Sequence, residues 1–319
     1  MSTSTVWERV LVTGGLGFVG SYLKAALIER GLEANLIICG GPNDKNAAVP
    51  LDVRDETQVT RLIEEVRPTA VVHLAAIAAV TAANSDARQA WAVNLGGTLN
   101  LVEAIRSKSP DTRLLFVSSA EVYGRSLNSH SAVAETALLD PVNPYAASKA
   151  AADILVRQSA AQGVKAVIAR PFNHTGPGQA EAFAVPSFAG QIARIEKGLQ
   201  PPILSVGNLD DQRDFLDVRD VVNAYLSMLE LCDALPAGAT FNIASGEPVR
   251  IGDILEHLLS LSTVKIEVRL DPARLRPAPI PRVAGDATAA RAVLHWEPRF
   301  ALNDSLAAIL DHTRQRLGA

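Results

Sequence analysis

Cysteine, aromatic residues and long apolar runs are all scarce in this sequence of 319 residues. The two cysteines, Cys39 and Cys232, form no C-x-x-C motif, so the sequence predicts no disulfide framework. The longest apolar run, residues 70–83, is too short to span a bilayer and contains His73. We therefore expect no contact with a membrane.

An excess of positive charge is also missing. The chain has 30 Lys and Arg against 34 Asp and Glu, for a net charge of −4, and no basic stripe is visible. This balance argues against a nucleic-acid partner. The first ten residues lack the apolar segment of a signal peptide, so we expect a cytoplasmic protein.

Histidines with the spacing of a metal site are absent as well. His73, His174 and His257 fall on separate predicted elements, and we expect no metal. His73 lies in a predicted buried strand, where we interpret it as a hydrogen-bonded core residue.

A glycine-rich segment follows the first predicted strand. Residues 9–13 form a β-branched run typical of a buried parallel strand, and Gly14, Gly17 and Gly20 precede a predicted helix at residues 21–30. Glycines allow a tight turn and let the backbone approach a pyrophosphate, which the helix N-terminus then faces. The segment therefore predicts a dinucleotide-binding loop.

Strand and helix patterns alternate through the first half of the chain. Alternation predicts right-handed βαβ crossovers and an α/β fold with a Rossmann-type doubly wound parallel sheet. Clusters of Pro and Gly end the alternation near residue 173, which indicates a smaller, discontinuous C-terminal lobe. We expect a dinucleotide-binding domain at residues 1–172, rejoined by residues 214–245, and a lobe made mainly of residues 173–213 and 246–319. Strands are expected at residues 9–13, 34–39, 49–53, 70–74, 114–118, 165–170, 240–243 and 264–269, and long helices at residues 55–68, 87–107, 143–157, 185–198, 218–231, 251–262 and 302–317.

The residues after the second predicted strand bear on the choice of cofactor. An acidic residue there binds a ribose 2′-hydroxyl, whereas a basic residue accepts a 2′-phosphate. Here the strand ends at Cys39 and Gly40, and Asp44 and Lys45 come late and together. The sequence favours NADPH or tolerance of both cofactors, so we expect NADP(H) or NAD(H).

Tyr145 and Lys149 lie four residues apart and share one face of a predicted helix. Asn143 is a suitable N-cap and Pro144 suits the first helical turn. A neighbouring ammonium favours the phenolate, so we expect Lys149 to lower the pKa of Tyr145 from its usual value of about 10. The pair therefore predicts acid–base chemistry.

Four motifs in this order resemble the extended short-chain dehydrogenase/reductases that act on nucleotide sugars. They are GGLGFVG, SSAEVYG after the fifth predicted strand, YAASK, and RPFNHTGPG after the sixth. The resemblance covers nearly the whole chain. It implies that Ser119 hydrogen-bonds the reacting oxygen, Tyr145 transfers the proton, and Lys149 holds the nicotinamide ribose.

The same resemblance implies further contacts with cofactor and substrate. Asp52 and Val53 would flank the adenine, and Arg213 and Arg276 would hold the diphosphate of a nucleotide sugar. The implied cofactor-binding residues are Gly14, Gly17, Phe18, Val19, Gly20, Asp52, Val53, Leu74, Ala75, Ala76, Asn94, Tyr145, Lys149 and Pro171. The implied substrate-binding residues are Ser119, Glu121, Asn173, Arg213 and Arg276.

Smaller differences separate the activities within this family. In dTDP-glucose dehydratases a T-D-E motif supplies the acid and base, whereas Ser119, Ala120 and Glu121 stand here. Ala120 removes the acid, but Glu121 is kept as in the T-S-E motif of GDP-mannose dehydratases. A dehydratase or a 4-epimerase with Glu121 as a catalytic residue therefore remains the alternative, and a non-enzymatic cofactor sensor is disfavoured because Ser119, Tyr145 and Lys149 are all present.

The second half favours a reductase. RPFNHTGPGQ, VGNLDDQRDFLDVRDVVNAY and LDPARLRPAPIPRVAGD are similar to GDP-6-deoxy-D-mannose reductases, which reduce the 4-keto group of GDP-4-dehydro-6-deoxy-D-mannose to give GDP-D-rhamnose. The match departs at Ile77, where related enzymes often carry a polar or basic residue. The expected substrate is thus a nucleotide-diphosphate sugar, with a GDP-deoxyhexose favoured.

Related enzymes pair the helix at 87–107 and the Tyr145 helix across a two-fold axis. Small residues on these helices, including Ala90, Gly97, Ala147 and Ala151, permit close packing here. We therefore expect a homodimer.

Overall fold

A parallel seven-stranded sheet lies at the centre of the computed structural model, which describes residues 7–128, 132–275 and 280–318. The strands are β1 (Val10–Thr13), β2 (Leu36–Gly40), β3 (Val49–Pro50), β4 (Ala70–His73), β5 (Arg113–Val117), β6 (Ala166–Pro171), β7 (Asn173–Thr175), β8 (Ile203–Val206), β9 (Gln212–Asp217), β10 (Thr240–Ile243), β11 (Pro248–Arg250) and β12 (Glu267–Leu270). The central sheet has the order β10-β6-β5-β4-β1-β2-β3, and its neighbours are parallel. The order reverses between β1 and β4, where doubly wound sheets bind ligands. The expected fold class is confirmed.

Helices cover both faces of this sheet. They are α1 (Phe18–Glu29), α2 (Glu56–Val66), α3 (Val80–Ser85), α4 (Ala87–Trp91), α5 (Gly97–Lys108), α6 (Pro144–Ala161), α7 (Ala184–Glu196), α8 (Val218–Leu231), α9 (Ile251–Ser260), α10 (Thr288–Leu294) and α11 (Leu302–Gly318). Val10 and Val12 of β1 pack in the core that α1 and α8 cover, whereas Leu11 packs in the core under α2, α5 and α6. Alternate residues of a parallel strand thus enter two different cores.

The helix expected at residues 87–107 contains a π-helical turn. It runs as α4, a π-helical segment at Ala92–Gly96, and α5. The wider turn carries Asn94 into the interior, where its Oδ1 accepts from the Ile77 N–H at 2.8 Å and its Nδ2 donates to Ser148 Oγ at 2.9 Å. A pattern of apolar residues does not reveal such a turn.

The strand expected at residues 49–53 is shorter in the structure. Only Val49 and Pro50 pair with β2, at the edge of the sheet, where a proline is tolerated. The chain then leaves the sheet because the Asp52 N–H donates to the Gln58 side chain at 2.6 Å instead of to a strand.

Residues 173–270 contain strands that the sequence did not predict. β11, β9 and β7 form one small sheet, and β12 and β8 form another. The expected strand at 264–269 lies instead at β12, paired in parallel with β8. These strands border the helices α7, α9 and α11, which share a core that includes Ile192, Leu255 and Leu310. Pro201 and Gly207 flank β8, which is why this segment resembles a loop in sequence.

Carboxylates at the start of α8 tie the last part of the chain to the main sheet. Asp217 caps α8 and accepts from Ser305 Oγ at 2.6 Å. Asp220 accepts the backbone N–H of Arg299 at 3.0 Å and of Phe300 at 3.1 Å. Both carboxylates are buried, so these bonds replace water that they lose on folding.

Among the described residues, no helix combines the length and apolar character needed to cross a membrane. The same ranges contain no group of three or more His, Cys, Asp and Glu side chains placed to hold a metal ion.

Candidate active site

The glycine-rich segment forms a close-packed cradle at the carboxyl end of β1. Gly14 has a φ of +66°, and a Cβ there would lie 2.7 Å from the backbone nitrogen of Ala75. A Cβ at Gly20 would lie 2.4 Å from the carbonyl oxygen of Gly15. Gly17 caps α1 without a side-chain bond, so the backbone donors of Phe18 and its neighbours in the first turn are available to a ligand. A turn lined by glycines, next to the N–H groups at the N-terminus of α1, fits a dinucleotide pyrophosphate.

The residues implied for the adenine lie beyond β3. Asp52 is paired with Arg54 through contacts of 2.9 and 2.6 Å, and these bonds hold the pKa of the Asp52 carboxyl below its usual value. Val53 is buried against the start of α5, where a Cβ on Gly97 would lie 2.5 Å from its Cγ2. The side chain of Asp52 is thus already bonded, and Val53 forms a packed wall.

A hydrogen-bonded chain supports the loop after β4. Thr13 Oγ1 lies 2.7 Å from His73 Nδ1 and accepts from the Ala75 N–H at 3.3 Å. His73 Nε2 lies 3.1 Å from Thr98 Oγ1, whose hydroxyl donates to the Asn94 carbonyl at 2.6 Å. Burial, aided by the charge of Lys149, lowers the pKa of His73 to about 3. His73 is therefore a neutral core residue that fixes Leu74, Ala75 and Ala76 in place, consistent with its interpretation from the sequence.

Ser119 and Tyr145 meet where β5 and α6 come together. Ser119 caps a short 3₁₀ turn, accepts from the Glu121 N–H at 3.2 Å and lies close enough to Tyr145 for the two side chains to interact. Burial raises the pKa of Tyr145 to about 12, the interaction with Ser119 opposes this rise, and the charge of Glu121 adds to it. The expectation that Lys149 lowers the pKa of Tyr145 is therefore wrong for the chain's own residues, because burial has the larger effect.

Lys149 points away from bulk water. It is 3% exposed, its Nζ donates to the Val117 carbonyl, and it lies 4.3 Å from the centre of the Phe116 ring. Burial lowers its pKa to about 7, and the charge of Asp153 opposes this lowering. Its protonation thus changes near neutral pH.

Glu121 and Asn143 border the same site. Asn143 caps α6 by accepting from the Ala146 N–H at 2.8 Å, and its Nδ2 lies 3.5 Å from a carboxylate oxygen of Glu121. One amide thus helps to fix both the start of α6 and the carboxylate beside Tyr145.

The residues implied for the substrate are more dispersed. Asn173 is exposed on β7, beyond the buried Pro171. Arg213 on β9 pairs with Asp211 at 3.0 Å and donates to the Pro281 carbonyl at 3.2 Å, so its guanidinium is bonded within the lobe. Arg276 lies outside the described residues.

A buried ion pair behind the site was not identified from the sequence. Arg170 on β6 makes two bonds of 2.9 Å with Asp153 on α6. Two signals were available: an arginine inside an apolar predicted strand, and an acid four residues after Lys149. The spacing alone did not show that these two side chains meet.

Comparison with known proteins identifies the family. The family model described as GDP-mannose 4,6 dehydratase matches residues 11–309. The chain belongs to this family. One relative of this chain is the GDP-6-deoxy-D-mannose reductase of Pseudomonas aeruginosa. The two sequences are 37% identical over 97% of this chain and 98% of that protein.

Solved structures agree with the family assignment. The structure of RMD from Pseudomonas aeruginosa complexed with NADPH matches this family member with a TM-score of 0.84 at 35% identity, covering 97% of this chain and 99% of that one. The UDP-glucose 4-epimerase of Thermus thermophilus, complexed with NAD, matches with a TM-score of 0.82 at 30% identity, covering 96% and 99%. The resemblance to extended short-chain dehydrogenase/reductases is confirmed, and solved relatives contain each of the two expected cofactors.

Proposed function

We propose that this protein is a nucleotide-sugar 4-ketoreductase, which uses NADPH or NADH to reduce GDP-4-dehydro-6-deoxy-D-mannose to GDP-D-rhamnose. The observation that carries the proposal is that Ser119 and Tyr145 adjoin each other beside a buried Lys149, at the carboxyl end of β5, with Ala120 where a dehydratase acid would stand. The similarity to the Pseudomonas aeruginosa reductase extends over almost the full length of both proteins and supports the choice of substrate.

The chain's own residues divide the work of the reduction. When bound, the reduced nicotinamide supplies the hydride that the keto carbon accepts. Tyr145 gives its phenolic proton to the oxygen, so the ketone becomes a secondary alcohol, and the Ser119 hydroxyl donates to that oxygen as charge develops. Lys149, as an ammonium, holds the nicotinamide ribose.

Cofactor binding follows from the cradle. Gly14, Gly17 and Gly20 bring backbone donors to the pyrophosphate, and Asp52 and Val53 form the adenine side. We infer that residues 173–213 and 246–319 form the substrate-binding lobe, with Asn173, Arg213 and Arg276 on the diphosphate. Binding would require the Arg213 guanidinium to exchange part of its bonding with Asp211 for a phosphate oxygen, a geometry that arginine accepts well.

The first experiment measures loss of reduced-nicotinamide absorbance with the 4-keto sugar made in situ by a GDP-mannose dehydratase, with NADPH and NADH in parallel. We expect rapid oxidation of at least one cofactor and GDP-rhamnose as product. Tyr145→Phe should still bind cofactor and lose about 10²- to 10⁴-fold in kcat, since it removes the proton donor. Full activity of Tyr145→Phe would contradict the mechanism.

A 4,6-dehydratase or an epimerase is the second candidate. Glu121 lies close enough to Tyr145 to raise its pKa, and Asn143 lies against it, so a carboxylate is available at the site. Such enzymes return the hydride to their substrate and keep the oxidised cofactor bound. Purified protein that carries NAD⁺ or NADP⁺ and converts GDP-mannose without added NADPH would favour this candidate.

We further propose a homodimer formed through α4, the π-helical segment, α5 and α6. Three large apolar side chains are exposed on these helices: Trp91 at 40%, Leu99 at 43% and Ile154 at 53%. Exposed apolar groups of this size favour an interface. We also propose a cytoplasmic location, because the free thiols of Cys39 and Cys232 suit a reducing compartment.

A further inference from the structure

Alternating charges are spaced one helical turn apart along α6. Lys149, Asp153 and Arg157 follow Tyr145 at intervals of four residues, so they share one face of the helix. Lys149 and Asp153 are almost fully buried, with exposures of 3% and 0%, while the Arg157 side chain is 44% exposed. A buried carboxylate persists only when it is paired. The pairing of Asp153 therefore bears on the charge one helical turn from Lys149.

The partner of Asp153 is Arg170. Its Nε and Nη2 donate to the two carboxylate oxygens of Asp153, both at 2.9 Å, and the two side chains are 1% and 0% exposed. Its Nη1 donates to Tyr123 Oη and to the Glu135 carbonyl, each at 3.0 Å. Because all three guanidinium nitrogens of Arg170 are bonded, Arg170 holds the Asp153 carboxylate in place, one helical turn from Lys149.

Other groups around Lys149 contribute little charge. His73 on β4 is neutral because burial holds its pKa near 3, and Tyr145 is neutral because burial raises its pKa to about 12. The charge of Glu121 acts on Tyr145, whose pKa it raises. Asp153 is the group that opposes the effect of burial on Lys149, whose pKa lies at about 7.

We propose that the buried Asp153–Arg170 pair is a positioning element that sets the charge of Lys149 and thereby the upper pH limit of activity. Asp153 favours the ammonium form of Lys149. Arg170 restrains this effect by neutralising and immobilising the carboxylate. The inference rests on the proposed function, because it takes the ammonium of Lys149 to be the form that holds the nicotinamide ribose.

Shifts of opposite sign in the pH profile test this proposal. Activity should fall as pH rises through the pKa of Lys149, since the ammonium loses its proton there. Asp153→Asn removes the negative charge, so the alkaline limb of kcat/KM should move to lower pH by about one unit. Arg170→Gln leaves the carboxylate opposed only by the nearby Arg157, 3.3 Å away, so the limb should move to higher pH by a similar amount. The double variant should lie near the wild type.

Loss of one partner of a buried pair is strongly destabilising, so an exposed variant is included. Arg157→Gln keeps the buried pair and should shift the limb in the direction of Arg170→Gln, by less. Glu196→Gln is the matched control, because it breaks a comparable ion pair with Arg314, at 2.8 Å, in the lobe. A purely structural role would lower activity in these variants and leave the limb in place.

Lys149→Met separates failure of this inference from failure of the proposed function. If Lys149→Met keeps the wild-type alkaline limb, Lys149 does not have the proposed role. If Lys149→Met loses the alkaline limb, while the Asp153, Arg170 and Arg157 variants keep the limb at its wild-type pH, the ion pair does not set the charge of Lys149. That result would overturn this inference alone. A ¹³C NMR titration of the lysine side chain, assigned with Lys149→Met, should show the same opposite shifts without turnover.

Discussion

His73 lies between two threonine hydroxyls in a strand that is buried on both faces, 1% exposed. Burial lowers its pKa to about 3, whereas an unfolded chain has a histidine pKa of about 6.5. Between these two values the unfolded state binds one more proton than the folded state. Acidification over this range therefore favours unfolding, by up to about 1.4 kcal/mol per pH unit.

His73→Gln should remove this part of the acid sensitivity, because the amide keeps hydrogen-bonding capacity and does not titrate. We expect the free energy of unfolding, measured with urea between pH 7.5 and 5, to fall less steeply with decreasing pH than in the wild type. His257→Gln on the partly exposed side of α9 is the control and should follow the wild type. An unchanged slope in His73→Gln would contradict the assignment of a neutral, buried His73.

At the residue scale, the spacing of residues in the sequence predicted which side chains share a helix. It did not predict how deeply those side chains are buried. The interval between Tyr145 and Lys149 correctly put both on α6. It gave no measure of burial, and burial decides both pKa values. The bonding of Arg213 to the Pro281 carbonyl likewise joins residues distant in sequence, which no local pattern reports.

At the scale of elements, the start of α5 forms part of the proposed adenine pocket. Gly96 and Gly97 are adjacent helical residues with opposite surroundings. A Cβ at Gly96 would meet nothing within 4 Å, whereas one at Gly97 would lie 2.5 Å from Val53 Cγ2. The two positions thus form a matched pair for testing close packing.

Gly97→Ala should push Val53 towards the adenine side, lower stability by about 1–3 kcal/mol and weaken NADPH binding. Gly96→Ala should instead stabilise the protein by roughly 0.5–1 kcal/mol, since it removes backbone freedom from the unfolded chain. Urea unfolding and fluorescence titration with NADPH measure both effects. Equal behaviour of the two variants would show that the contact with Val53 has no consequence.

Elements of the central sheet were predictable because short β-branched runs alternate with long helical patterns, and β1, β4, β5 and β6 all appear near their expected places. The lobe was less predictable. The strand expected at residues 264–269 appears as β12, but β7 has only three residues and gives no periodic signal. Their pairing depends on partners from other parts of the chain.

At the scale of the whole molecule, the exposed apolar side chains on α4 and α6 predict an assembly. The wild type should sediment as a dimer, and Trp91→Glu or Ile154→Glu should sediment as a monomer, because a charge buried in an interface is costly. Leu199→Glu is the control, since Leu199 is 66% exposed after α7, in the lobe. A monomeric wild type at micromolar concentration would refute the proposed dimer.

The hydrogen bonds that Asp217 and Asp220 accept from residues 299–305 also affect how this protein folds while it is being synthesised. Strand β10, at the edge of the central sheet, is made only after about three quarters of the chain, and residues 299–305 are made later still. Contacts of such large sequence separation form slowly. During translation, Asp220 must therefore remain without its backbone partners at residues 299 and 300 until the last part of the chain is made, and an incompletely packed intermediate of this kind is prone to aggregate.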